Sequence, residues 1–168
     1  MTTPTNPQHH DDDAQWRRIE RILRRKSFAV LSTVSPAGNP HAAGVVFDTG
    51  GSLMYVNTMK SSRKARNVAA AGRAGVVIPV RRLPVGPPFT VQFQARATVL
   101  ALDDPEVNAH VAAGRLKRVT AHGELDEPDG CFLRIEPVGS VHTYGVGVST
   151  IGLVKDPLHA GGRSVTIP

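Results

Sequence analysis

Thiols, aromatic rings and long apolar runs are all scarce in this sequence, and each scarcity removes a class of protein. Cys131 is the only cysteine among 168 residues. That excludes an internal disulfide and a thiolate metal cluster, and a reducing cytoplasm is the expected compartment. No apolar run approaches the ~20 residues that span a bilayer, so no membrane partner is expected. The opening residues carry no hydrophobic secretion core. The formal charge of +6 raises the question of nucleic acid. One Trp, two Tyr and five Phe, without basic–aromatic alternation, leave little on which bases could stack. The charge suits an anionic small ligand instead. Also missing are a Gly-rich loop before a Lys, a Gly-x-Gly-x-x-Gly turn after a strand and a nucleophile elbow around any serine. The seven histidines include no pair at metal spacing on a recognisable helix, so no metal site is expected.

What is present is a β-rich pattern. Val, Ala, Leu and Ile dominate the 40% hydrophobic content, a palette that suits pleated, half-buried strands. Residues 1–13 are polar and read as a flexible tail; residues 14–168 read as one domain. The tail's His9-His10-Asp11-Asp12-Asp13 run has nothing to hold it in a metal-binding geometry. Trp16, Ile19, Ile22 and Leu23 form one stripe among arginines, predicting a helix over Ala14–Lys26 with Asp13 as its cap. Strands are expected at Phe28–Val34, His41–Phe47, Leu53–Thr58, Ala74–Val80, Phe89–Leu102, Cys131–Ile135 and Ser140–Tyr144, joined largely by short Gly- and Pro-containing turns. Two further helices are expected, at Ser61–Ala71 and Asp103–Arg115. Arg81–Pro88 reads as a Pro-rich connection, and Val148–Pro168 is Gly-rich and unassigned. The hairpin spacing predicts a mainly β, antiparallel split barrel of six or seven strands with peripheral helices.

One stretch carries chemistry. A strand end runs through a turn into Ser62-Arg63-Lys64 at a helix start. A phosphate there meets free amide groups, the positive end of the helix dipole, a planar guanidinium, a compact ammonium and a hydroxyl. Arg66 follows one turn later.

The segment Val56-Asn57-Thr58-Met59-Lys60-Ser61-Ser62-Arg63-Lys64-Ala65-Arg66-Asn67 resembles the pyridoxamine-phosphate-oxidase-like flavoproteins. The resemblance covers most of Phe28 to Gly145, and its specific part is Ser-Arg-Lys. It implies that Arg63 and Lys64 hold a flavin phosphate and that Thr58 contacts FMN, while Asn57 takes the place of the family's tyrosine. It also sets Tyr144 where a Trp lies beside the flavin. A homodimer with the cofactor at its interface follows from the same resemblance. The stretch Ala42 to Phe47, charged in pyridoxamine-phosphate oxidases, carries no charge here, and their Tyr-Phe-His and terminal Arg-Leu-x-Pro elements are absent. The sequence is therefore closer to relatives that use FMN or the deazaflavin coenzyme F-420. Those relatives carry a Lys-x-Arg-Asn element, matched by Lys64-Ala65-Arg66-Asn67.

The expected cofactor-binding set is thus Asn57, Thr58, Ser62, Arg63, Lys64, Arg66, Asn67 and Tyr144, with no catalytic side chain assigned. The implied activity is hydride transfer between FMN, or alternatively coenzyme F-420, and a small organic substrate. A flavin- or haem-binding module without turnover is the other reading.

Overall fold

The computed structural model describes residues 7–80, 89–146 and 161–167, with side chains from Asp12 onward. The chain runs α1 (Pro7–Arg25), β1 (Phe28–Val34), β2 (Pro40–Val46), β3 (Asp48–Gly50), β4 (Leu53–Met59), α2 (Arg63–Ala71), β5 (Arg73–Val80), β6 (Phe89–Leu100), α3 (Pro105–Ala112), β7 (Gly130–Tyr144) and β8 (Gly162–Thr166). Two single 3-10 turns, Lys117–Val119 and Glu124–Asp126, lie between α3 and β7. The strands form one sheet in the order β2-β1-β5-β6-β7-β4-β3, with β8 added to β7, and their pairings are antiparallel. This is the split-barrel architecture expected from the hairpin pattern.

Strand β7 explains the split. One edge pairs with β6 from Leu100↔Phe132 to Thr90↔Tyr144. Its other edge serves β4 over residues 130–135 and β8 over 140–144. Cys131–Ile135 and Ser140–Tyr144 are thus one strand rather than two. Pro137 and Gly139 read as a break in sequence, but the ladder absorbs them as a bulge: the register moves between Phe93↔Val141 and Gln94↔Val138. Gly139, at φ 72°, supplies the left-handed backbone that the bulge uses.

Two apolar clusters sit on opposite sides of β4 and β7. The larger fills the barrel with Leu31, Phe47, Met54, Val76, Ile78, Val91, Leu133 and Ile135, closed by Ile19 and Leu23 of α1. The smaller holds Tyr55, Val107, Leu116, Val119 and Phe132 beneath α3 and the 3-10 turns. Alternation along β6 is as expected: Val91, Phe93, Ala95 and Ala97 are buried, while Gln92, Gln94 and Arg96 are exposed.

Several boundaries differ from the expectation. Helix α1 begins at Pro7, so Pro7–Asp13 is helical and Asp13 is no cap. Pro suits the first helical turn, where its missing N–H is no loss. Buried Gln15 then pins the helix by donating to Thr143 Oγ1 at 3.3 Å and to the Val146 carbonyl at 3.1 Å. Helix α3 is shorter than Asp103–Arg115; it is capped by Asp104 and stops before Gly114, at φ 67°. Asp48–Gly50 pairs with β4 instead of turning, and β8 arises from the Gly-rich end, which brings the sheet to eight strands. Met1–Asn6, the His9-His10-Asp11 side chains, Arg81–Pro88 and residues 147–160 lie outside what is described.

Candidate functional site

The junction of β4 and α2 is built by its own sequence. The Lys60 and Ser61 turn is tied to the start of β7: Lys60 N–H donates to the Asp129 carbonyl at 2.7 Å, and Ser61 N–H donates to Asp129 Oδ2 at 3.1 Å. The Ser61 hydroxyl also donates to Asp129, and that bond, followed by the backbone one, holds the carboxyl below its usual range. Ser62 is the cap of α2, its hydroxyl accepting from Ala65 N–H at 3.3 Å. Thr58 Oγ1 lies 3.3 Å from Ser62 Oγ, so the strand-end threonine and the cap serine meet. Gly72, at φ 63°, closes the helix, and its N–H returns to the Val68 carbonyl.

Neighbouring side chains on a helix diverge by about 100°, and α2 uses this to serve two clefts. Lys64 faces a cleft of about 470 Å³ between β2 and β4. One wall is uncharged, made by Gly44, Val45, Val46 and Val56; the rim carries Asn57, Arg118, Val119, His122 and Glu124. Arg63, Arg66 and Asn67, at i, i+3 and i+4, face a second cleft of about 590 Å³ against the β1–β2 turn residues Ser35, Pro36, Asn39 and Pro40. The free amides of the first turn of α2 stand between the two.

The expected residues divide accordingly. Asn57, Thr58, Ser62, Arg63, Lys64 and Arg66 come together around this junction. Asn67 is buried and donates from Nδ2 to Thr33 Oγ1 at 3.0 Å, so its amide ties α2 to β1. Tyr144 is elsewhere. Thr58 pairs with Cys131 at one end of β7 and Tyr144 sits at the other, roughly 40 Å away along the strand. There Tyr144 lines a separate groove with Gln92, His142 and Arg163.

Sequence reasoning missed the loop that forms the first cleft's rim. Asp48, buried at the start of β3, accepts from Arg118 N–H at 2.6 Å and from Arg118 Nη1 at 3.0 Å. That ion pair ties the 3-10 turn at Lys117–Val119 to β3 beside the cleft. Glu124 Oε2 accepts from His122 N–H at 2.6 Å, which holds the Glu124 carboxyl below its usual range. No local motif marks these residues; the long-range Asp48–Arg118 pairing and the burial of Leu116 and Val119 beside Tyr55 bring them to the site.

A flavin asks for an apolar slot for its ring, hydrogen-bonding groups at the ring's polar edge and cations for its phosphate. The first cleft offers each. Asn57 supplies a particular sign: its Nδ2 is buried and has no hydrogen-bond partner in the protein. Such orphan donors are rare and costly, and a ligand acceptor in the cleft is the natural complement. Among the described residues no group of three or more His, Cys, Asp or Glu side chains could hold a metal ion. No helix among them is long and apolar enough to cross a membrane.

Comparisons with known proteins agree on the architecture. The backbone is similar to that of a heme binding protein from Mycobacterium smegmatis, with TM-score 0.68 and 17% identity over 99% of this chain and 60% of that one. This chain therefore spans 60% of that protein's length. It is similar to HutZ, the heme storage protein from Vibrio cholerae, with TM-score 0.62 and 17% identity over 74% of this chain and 91% of that one. It is also similar to a FAD-binding protein from Mesorhizobium loti, with TM-score 0.57 and 17% identity over 73% and 87% of the respective chains. At these identities the likeness establishes the shared fold alone. No curated protein matches the sequence. The family model of pyridoxamine 5'-phosphate oxidase, however, matches residues 16–140, the span that holds both clefts, and the chain belongs to that family.

Proposed function

We propose that this chain binds a flavin-type cofactor, FMN or coenzyme F-420, and acts as an oxidoreductase on a small organic substrate. The observation that carries the reading is the orphaned amide Nδ2 of Asn57, a residue that lines the same cleft as Lys64, beside the capped start of α2. The ring lies against Gly44–Val46 and Val56, the Asn57 amide donates to its polar edge, and the phosphate sits on the α2 amides between Arg63 and Lys64. When bound, the flavin supplies hydride transfer; the chain binds it, orients it and shields it from water.

A homodimer belongs to the same proposal. Phe28, Val34 and Val46 are each about half exposed, and Phe28 pairs with Val46 across β1 and β2. They form an uncharged outer face that continues into the cleft wall at Gly44 and Val46. A second copy covering this face removes apolar surface from water and closes the open side of the cleft. Tyr144, remote within its own chain, reaches a cofactor only across such an interface.

Haem is the second reading, favoured by His122 on the cleft rim, since imidazole is a common haem-iron ligand. The absorbance spectrum of the purified protein titrated with FMN, F-420 and haem separates the readings. Lys64→Ala and Arg63→Ala are each expected to weaken flavin binding by one to two decades, from a charge-assisted bond worth about 1.5–3 kcal/mol. Arg21→Ala, on the exposed face of α1, leaves it unchanged. Equal affinity in wild type, Lys64→Ala and Arg63→Ala removes the site assignment.

A further inference from the structure

We infer that residues 103–129, between β6 and β7, form a flap that opens as a unit while the barrel stays folded, and that this opening admits and releases the cofactor at the first cleft. The inference rests on the flavin reading above and adds the route by which the site is loaded.

The flap is packed separately from the barrel. Among the described residues, none from 103–129 belongs to the barrel core. Its buried apolar side chains, Val107, Leu116 and Val119, meet Tyr55 and Phe132 in the smaller cluster on the other side of β4 and β7. The segment consists of α3 and two single 3-10 turns, so no strand ladder joins it to the sheet. A segment with a small apolar core of its own and no ladder opens at lower cost than the strands beneath it.

Few ties hold it down. Its C-terminal end is stapled by Asp129, which accepts from Lys60 and Ser61, and this end is the hinge. Two latches lie further out. Glu106 accepts from the Tyr55 hydroxyl and from Arg134 Nη1 at 3.1 Å. Arg118 donates to buried Asp48 from Nη1 at 3.0 Å and from its N–H at 2.6 Å. Beyond Val119 the flap bonds to itself: Thr120 Oγ1 donates to the Leu116 carbonyl at 2.8 Å, and Asp126 N–H to the Gly123 carbonyl at 3.0 Å.

Position makes the flap a gate. Its residues Arg118, Val119, His122 and Glu124 line one side of the first cleft, and β2, β4 and α2 line the rest. Strands β2 and β4 belong to the sheet, and Asn67 ties α2 to β1. The flap is thus the side that moves without breaking the sheet. The second copy proposed above would cover the side at Gly44 and Val46 and leave the flap as the way in.

Two measurements test this. The first is hydrogen exchange of the cofactor-free protein, read residue by residue in rising urea below the unfolding transition. The amides of α3 and Val119 are expected to exchange through one opening, with weaker urea dependence than those of the central strands β5 and β6. Equal protection and equal urea dependence in the two sets overturn the flap as a separate unit.

The second is stopped-flow binding of FMN and coenzyme F-420, followed by cofactor fluorescence, in wild type, Tyr55→Phe and Asp48→Asn. Each variant loosens one latch and alters no residue that lines the cleft. A latch weakened alike in the empty and the loaded protein raises the association and dissociation rates by the same factor. The expected rise is about tenfold in each rate, with Kd unchanged. Unchanged rates, or a weaker Kd at an unchanged association rate, overturn the gating role, because the two ties then only position the rim. Failure of wild type to bind either cofactor overturns the flavin reading, while the exchange result still decides whether the flap opens by itself.

Discussion

Tyr55 and Asn57 stand two residues apart on β4, on the same side of the strand, and have opposite fates. The Tyr55 hydroxyl donates to Glu106 Oε1, Arg134 Nη1 donates to Glu106 Oε2 at 3.1 Å, and the Tyr55 ring packs against His110 with centroids 5.0 Å apart. His110 fits because Gly50 has no side chain: a Cβ there would stand 2.6 Å from the imidazole. This clasp fastens α3 to β4 and β7 and leaves the tyrosine fully buried. Asn57, by contrast, lines the cleft and keeps a buried Nδ2 with no partner in the protein. Two polar side chains on one strand thus differ in whether the protein itself completes their bonding. The Tyr55 hydroxyl serves a structural joint, and the Asn57 amide is the group that a ligand would complete under the proposed function.

The sharpest break of that comparison is Tyr55→Ala. Removing a fully buried aromatic leaves a cavity and an unpaired Glu106 bond, and should cost about 3–5 kcal/mol, measured by denaturant unfolding. A loss under 1 kcal/mol would show that α3 is not held by this residue. Asn57→Ala should behave in the opposite way. Cofactor affinity falls about tenfold in titration, while stability of the cofactor-free protein holds or rises, because an unsatisfied buried donor has been removed. A stability loss like that of Tyr55→Ala would mean that the amide is a joint and not a ligand group.

The smallest effect lies on the pH axis. Burial first, then the bond to Glu106, raises the Tyr55 phenol above its ordinary value of 10.0. The folded state therefore keeps the proton after the unfolded chain has released it. The stabilisation is complete below pH 10 and is lost as pH rises from there toward the folded value. Unfolding curves across the alkaline range should show this decline, and Tyr55→Phe should flatten it. An unchanged slope in Tyr55→Phe assigns the decline to other groups.

Periodicity and short motifs in the chain already contained much of this. The period-2 pattern of Phe89–Leu100, the turn residues around Gly38 and the Ser62 cap are local signals, and local physics obeys them. They sufficed for a split barrel and for the helix start at Ser62. They failed where a tertiary contact outweighed them. Polar Pro7–Asp13 joins α1, which Gln15 anchors to the end of β7, and the Pro137–Gly139 break survives inside β7 because β6 supplies a ladder on which it can bulge.

The site divides in the same way. Ser62, Arg63 and Lys64 are neighbours in sequence, so their clustering at the start of α2 was readable from spacing alone. Only the fold turned Lys64 and Arg63 into different clefts, spent Asn67 on Thr33 and set Tyr144 at the far end of β7. Only the fold brought Arg118, His122 and Glu124 to the rim, helped by an ion pair of Arg118 with buried Asp48, seventy positions away. Spacing reports which groups share a helix turn or a strand face; which of them meet solvent, a partner or an empty cleft is decided by packing between segments distant in the chain, and that information is not local.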